Sequence, residues 1–333
     1  MMKRIKALLS GLLLVLVVAA ALGVWWVQRP LPLRGERVEV SIEPGTPTRE
    51  IARQWVQAGV DVPPWLLYEW FRWSGKARRI QAGSYEIETG ATAYSLLDRM
   101  VRGDQILQTL RLIEGWNFRQ VREALAKAPH LRHTVDAMSD AQLAVALGLN
   151  APSVEGWLFP DTYAYSPGVS DVTVLRRAAE AMQVALAQAW AQRDAASPLK
   201  SPAELLTLAS VVEKETGRPE DRPMVAAVFN NRLRLGMPLQ SDPTVIYGIG
   251  ERFDGNLRRD DLTTDTPWNT YVRRGLPPTP IALPGRQALL ATARPAPSQA
   301  LYFVAKGDGS SAFSNNLTDH NRAVNQYQKG GSR

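Results

Sequence analysis

Residues Ala7–Val27 contain one polar side chain, Ser10, and close with Trp25-Trp26-Val27. About 20 consecutive apolar residues make a helix long enough to cross the hydrocarbon core of a bilayer. Lys3, Arg4 and Lys6 precede the run. Basic residues keep that end on the cytoplasmic side, and tryptophans suit the far interface. Ala19, Ala20 and Ala21 also offer small residues for signal-peptide cleavage. A signal-peptide apolar region is only about 7–15 residues long, however. Residues 1–28 are therefore expected to be a cytoplasmic N-terminus and a single-pass anchor, with the bulk of the chain outside the cytoplasm.

The 333 residues can hold two or three domains with a sizeable core. The formal net charge of +7 suits an anionic surface such as a membrane face or an acidic polymer. No RRM-like, zinc-finger or helix-turn-helix pattern is present, so nucleic acid is not an expected partner. The chain has no cysteine, which excludes disulfides, thiolate metal sites and cysteine nucleophiles. His130 and His133 lie near each other without a matching third ligand, so no metal is expected. No Gly-rich phosphate loop or GxSxG motif appears, and no cofactor is expected. His320 is the only plausible base for a serine hydrolase.

Residues 29–37 (RPLPLRGER) read as a linker leaving the membrane. Val38, Val40 and Ile42 alternate as in a half-buried strand, and Pro44-Gly45 makes a turn. Thr48 is placed to cap a helix with Ile51, Ala52, Trp55 and Val56 on one face, stopped by Gly59. A Trp-rich helical stretch at 63–73 follows, then a strand in AGSYEIETG and a helix over 93–101 ended by Gly103. The order of strands and helices in residues 38–104 loosely resembles the small LysM-type glycan-binding module. Residues 105–113 alternate as a strand, and 171–195 form a long amphipathic helix. The triplet Glu114-Gly115-Trp116 recurs at Glu155-Gly156-Trp157. Its aromatic surroundings suit packing under a domain junction better than sugar stacking. Residues 105–200 thus read as a connecting region, and 201–333 as a final domain.

The chemistry centres on Leu205–Gly248. Leu205, Leu208, Ala209, Val211 and Val212 cover more than half the circumference of a helix, the mark of a buried one. Glu213 and Glu215 end it about 200° apart, on either flank of that arc. Periodicity alone does not say which is inside. Gly217 and Pro219 end the helix just after them. Burial and a negative helix end both raise a carboxyl pKa, as a general acid near neutral pH requires. A solvated, lysine-compensated helix end fits the same pattern. The next helix, 223–235, turns Val225, Val228, Phe229 and Leu233 inward. Arg232 and Arg234 stay polar, placed to meet an anionic ligand. Gln240, Ser241, Asp242 and Thr244 then cluster on a Pro-containing loop, suited to sugar hydroxyls or simply to a turn.

Three long stretches carry a resemblance: ASVVEKETGRPEDRPMVAAVFNNRLRLGMPLQSDPTVIYGIG, NTYVRRGLPPTPIALPG and LYFVAKGDGSSAFSNNLTDHN. In this order they closely resemble the YceG-like family of endolytic murein transglycosylases. The resemblance implies an α+β fold: a single N-terminal transmembrane helix, a small LysM-like module and a mixed α/β catalytic domain with the catalytic glutamate on a helix. It implies a lyase of the bacterial inner membrane, with the bulk in the periplasm. The implied substrate is the β-1,4 bond between N-acetylmuramic acid and N-acetylglucosamine in nascent peptidoglycan, and peptidoglycan synthases are implied partners. The family's catalytic glutamate maps to Glu215, with Glu213 in reserve. By motif position, Gln240, Asp242, Tyr247, Asn269, Tyr271 and Asn316 are expected to line the cleft. A hydrolytic muramidase, with Asp242, Asp261 or Asp265 as second carboxylate, and a non-catalytic glycan-binding scaffold for synthases are the competing readings.

Overall fold

The computed structural model describes residues 2–329, with side chains from Ser10 to Gln328. Met1 and residues 330–333, at the two ends of the expected anchor and final domain, lie outside the described residues, as do the side chains of Lys3, Arg4 and Lys6. The chain divides into two compact units, Met1–Gln108 with Ala164–Val169, and Thr109–Tyr163 with Ser170–Arg333.

The first unit begins with helix α1 (Met2–Gln28), whose stretch Ser10–Gln28 is long and apolar enough to cross a membrane. It continues through β1 (Arg37–Ile42), α2 (Thr48–Ala58), α3 (Pro64–Trp73), β2 (Gly83–Glu88) and α4 (Ala93–Arg102). Strands β1 and β2 pair antiparallel, from Arg37↔Glu88 to Ile42↔Gly83. Val38, Val40 and Ile42 point into a core with Trp55, Leu67, Phe71, Tyr85 and Leu96. Thr92 starts α4 with a capping box through Ser95, and Gly103 ends it in the left-handed region. The expected linker is not loose. Leu31 is buried, Pro30 bridges Thr92 and Leu33 bridges Val60, because Leu31 and Leu33 are apolar enough to join this core.

Two short strands, β3 (Gln108–Arg111) and β4 (Thr162–Tyr165), occur where the chain passes between the units. Between them come α5 (Phe118–Lys127) and α6 (Asp140–Ala146). The second unit continues with α7 (Asp171–Ala191), α8 (Pro202–Glu215), α9 (Arg222–Arg234), α10 (Asp242–Ile249), α11 (Arg259–Thr263) and α12 (Arg286–Ala293). The hairpin β5 (Tyr302–Ala305) and β6 (Ser311–Ser314) then leads into α13 (Leu317–Val324).

Helix α8 is the spine of this unit. Ser201 caps it by accepting from the Glu204 amide at 3.2 Å, and every residue from Leu205 to Val212 is buried. Its two buried hydroxyls are satisfied: Thr207 donates to the Ala203 carbonyl and Ser210 to that of Thr207. Ser210 also accepts from the Ile281 amide at 3.0 Å. Met182, Ala185, Leu186 and Ala189 of α7 pack into the same core as α8, α9 and α12. The C-terminal half of the long helix, expected to lie in a connecting region, and the expected final domain therefore share one core. The stretch expected to be a polar loop through Tyr247 turns helical at Asp242, where Pro243 occupies a first-turn position that needs no N–H.

Leu208 is fully buried in this spine. Leu208→Ala is expected to lower unfolding stability by about 3 kcal/mol, read as a lower urea midpoint at unchanged slope.

Candidate active site

The two glutamates at the end of α8 have separate surroundings. The Glu213 side chain is 6% exposed and sits 3.5 Å from the equally buried Arg222 guanidinium. Its Oε2 accepts from the Gly285 amide at 2.9 Å. Burial raises the Glu213 pKa, against the opposing pull of Gly285 and Arg222. Both of its oxygens are thus occupied by the fold.

Glu215 is half-buried. Ser241 donates to its Oε1 at 2.5 Å. Desolvation pushes its pKa up to about 7, reinforced by Asp242 and opposed by the Ser241 hydrogen bond and Arg232. Ser241 is itself fixed. It is fully buried, its amide donates to Thr270 Oγ1 at 3.1 Å, and its carbonyl accepts from Thr244 Oγ1 at 2.6 Å. Thr244 and Thr270 hydroxyls lie 2.8 Å apart. This buried triad of hydroxyls holds the start of α10 against the end of α8.

Gln240, just before, has φ +52, a backbone region that costs a non-glycine residue about 1 kcal/mol or more. Its Oε1 accepts from Arg232 at 3.2 Å. Arg232 does not reach out for an anionic ligand, contrary to the sequence expectation. It is buried, donates to the carbonyls of Leu301 and Leu239, and lies 5.1 Å from the Tyr302 ring. Arg234 is exposed and donates to Asn231 and the Ala196 carbonyl. On the outer side of Glu215, exposed Asp242 accepts from the Tyr271 hydroxyl at 2.6 Å. Burial is the largest cause raising the Tyr271 pKa, so this hydroxyl keeps its proton.

Gln240, Asp242 and Tyr271 therefore gather round Glu215. Of the other three expected residues, Asn269 and Asn316 have structural partners and Tyr247 lines a cleft of its own. Asn269 is fully buried, and its amide donates to the carbonyls of Asp261, Leu262 and Thr264. It shapes the loop that carries Thr270 and Tyr271. Asn316 caps α13 by accepting from the Asp319 amide at 2.9 Å. Asn in such a motif reads equally well as a ligand or a cap, and here it is a cap.

Tyr247 marks a second focus. A cleft of ≈ 1110 Å³ runs from Lys214 and Pro243, each next in sequence to a site carboxylate, past Ile246, Tyr247 and Trp268 to Phe118. Glu155 lies in its wall, 4% exposed, accepting from the Tyr247 hydroxyl at 3.1 Å and the Phe118 amide at 3.0 Å. Desolvation pushes its pKa up to about 7, opposed by those hydrogen bonds. Sequence reasoning passed over this residue as part of a packing loop, although the argument used for Glu215, a carboxylate in apolar surroundings, applied to it too.

The repeated triplets do pack, and against one segment. Gly115 donates to the Leu283 carbonyl, and a Cβ at Gly156 would come within 2.3 Å of Pro280. Among the described residues no three His, Asp or Glu side chains converge on a point that could hold a metal.

The model of the YceG-like family matches residues 40–326. An endolytic murein transglycosylase of Bacillus subtilis is 31% identical over 256 residues, 76% of this chain and 71% of that protein. An endolytic murein transglycosylase of Streptococcus pneumoniae is 28% identical over 87% of this chain and 58% of its own length. The crystal structure of a YceG-like protein from Listeria monocytogenes superposes with TM-score 0.56 at 27% identity, covering 86% of this chain and 98% of that one.

The raised Glu215 pKa carries a sign. Both folded and unfolded carboxyls are protonated below the ordinary glutamate value of 4.5, and the folded state loses stability as pH rises from there through about 7. Glu215→Gln is therefore expected to be more stable than the native protein at pH 8, by up to about 3 kcal/mol. The gain should vanish near pH 4, as read from urea midpoints across that range.

Proposed function

Because this chain belongs to the YceG-like family, we propose that it is a membrane-anchored endolytic murein transglycosylase. Its substrate is the β-1,4 bond between N-acetylmuramic acid and N-acetylglucosamine inside glycan strands. Residues 10–28 hold it in the inner membrane, with the bulk in the periplasm, where it acts beside the synthases that extend the strand. The small first unit serves as a LysM-like glycan-binding module.

The observation that carries the mechanism is the single hydrogen bond from Ser241 to Oε1 of Glu215. It fixes the carboxyl and leaves Oε2 to hold the proton, which a pKa of about 7 keeps there over much of the neutral range. Glu215 gives that proton to the glycosidic oxygen as the bond to C1 breaks. The resulting carboxylate then takes the proton of the muramoyl C6 hydroxyl, which closes on C1 as a 1,6-anhydro ring. One carboxyl serves twice, as acid and then as base, and no water enters the products. Asp242, held by Tyr271, faces the positive charge that develops at the sugar ring. The cleft past Tyr247 and Trp268 accommodates the strand on one side of the cleaved bond.

Asp242 is also what keeps a hydrolytic reading in view, since a hydrolase needs a second carboxylate. Asp265 is committed to Arg273 at 2.6 Å and Asp261 to the Arg258 amide at 2.8 Å. Mass spectrometry of cleaved strand ends separates the two: muramoyl termini lacking one water mark the transglycosylase, and reducing termini the hydrolase.

Glu215→Gln is expected to lower turnover by a factor of about 100 or more while glycan binding persists. Unchanged cleavage by that variant would exclude Glu215 as the acid, and a native protein that binds strands without cleaving any would leave only the scaffold reading. Ser241→Ala removes an interaction that lowers the Glu215 pKa, so the alkaline limb of kcat/KM should move to higher pH as turnover falls.

A further inference from the structure

The first unit places exposed aromatic rings where α1 leaves the membrane. Pro30, two residues past the end of α1, bridges Thr92, and the Leu31 amide donates to the Ala91 carbonyl at 2.7 Å. The start of α4 therefore adjoins the end of the anchor. The Trp70 indole N–H donates to the Ala93 carbonyl at 2.9 Å, which brings the last turn of α3 to the same place.

From this corner Trp73 stands 80% exposed and Tyr94 50% exposed, while Trp25 at the anchor's own end is 56% exposed. Each ring has a cation near its face: Arg72 at 5.8 Å from Trp73, Lys76 at 5.5 Å from Tyr94 and Arg29 at 4.4 Å from Trp25. Arg29, the first charged residue past α1, is itself exposed. The acidic neighbours are already paired, Glu69 with Arg72 and Asp98 with Arg102.

Isolated exposed tryptophans are ordinary on soluble proteins. Tryptophan and tyrosine grouped with basic residues beside a membrane span are the composition of an interfacial belt, where the ring sits among headgroups and its polar edge stays wet. Cations beside them gain from anionic lipid phosphates. We propose that this corner of the first unit, built on Trp25, Arg29, Trp73 and Tyr94, is seated on the outer leaflet of the bilayer that α1 crosses, against anionic phospholipid headgroups. The proposal rests on Ser10–Gln28 being a retained span.

The absence of cysteine makes the test direct. Single cysteines replace Trp73, Tyr94 or, as reference, Glu43. Glu43 follows the far end of β1, about 20 Å from Arg37. Each full-length variant is reconstituted in vesicles of phosphatidylethanolamine and phosphatidylglycerol and labelled with a nitroxide. Collision rates with oxygen and with a water-soluble nickel chelate are then compared. The expected result is several-fold less nickel access and more oxygen access at 73 and 94 than at 43. Equal nickel access at all three sites, in a protein whose intact mass includes residues 1–28, overturns the proposal and leaves the anchor standing. A mass showing trimming after Ala21 overturns both. Protection at 73 that appears only on adding soluble glycan strands also overturns it, and makes the corner a sugar platform.

Discussion

Everything in the larger unit converges on holding one carboxyl at a place where ionisation is costly. Helix α8 is buried on all sides for eight residues before Glu215, so the acid is delivered by a rigid rod and not by a loop. The rod is gripped by helices on several faces, and its last turn meets the first turn of α10 through Ser241. A hydroxyl is a suitable partner there. A cation at hydrogen-bonding distance would stabilise the carboxylate and pull the pKa back down. Arg232, the nearest guanidinium in the electrostatic sense, is kept at one remove by carbonyls that take its protons. The cost of desolvation is thus left largely uncompensated, and the proton stays available.

The sequence made much of this legible, because long apolar periodicities are unambiguous. The buried α8, the amphipathic α7, the apolar N-terminal helix and the alternating Val38, Val40 and Ile42 all appear where their patterns placed them. The choice between Glu213 and Glu215 was not legible. It depends on Gly285, 72 residues beyond Glu213, presenting an amide to one glutamate, and on Ser241 presenting a hydroxyl to the other. Such partners come from tertiary closure, which local spacing does not encode. The same limit explains Asn269 and Asn316, whose residue type suits both a sugar contact and a structural amide. Glu155 is a different matter. A lone acid between Val154 and Gly156-Trp157 was a visible anomaly, and the triplet's likeness to an earlier one drew attention to its shape instead of its charge.

Glu155 also shows how the two ends of the cleft are tied. Its carboxyl closes the N-terminus of α5, from whose first amide it accepts, and holds Tyr247 in the second turn of α10. The same short helix begins at Ser241. Eight residues of α10 therefore join two carboxyl groups of similar affinity for protons, Glu155 in the wall of the cleft and Glu215 at the end of α8.

The way α1 joins the first unit sets how that unit can move. Nine residues of free chain would let it wander over a root-mean-square distance of about 17 Å. Here Leu31 belongs to the unit's own core with Trp26 packed against it, and Pro30 and Leu33 are bridged to the unit. The joint behaves as a weld, so the unit loses the swing of a tethered ball and turns only as α1 itself turns. Any constraint placed on that helix reaches β1, α2 and α4 without slack.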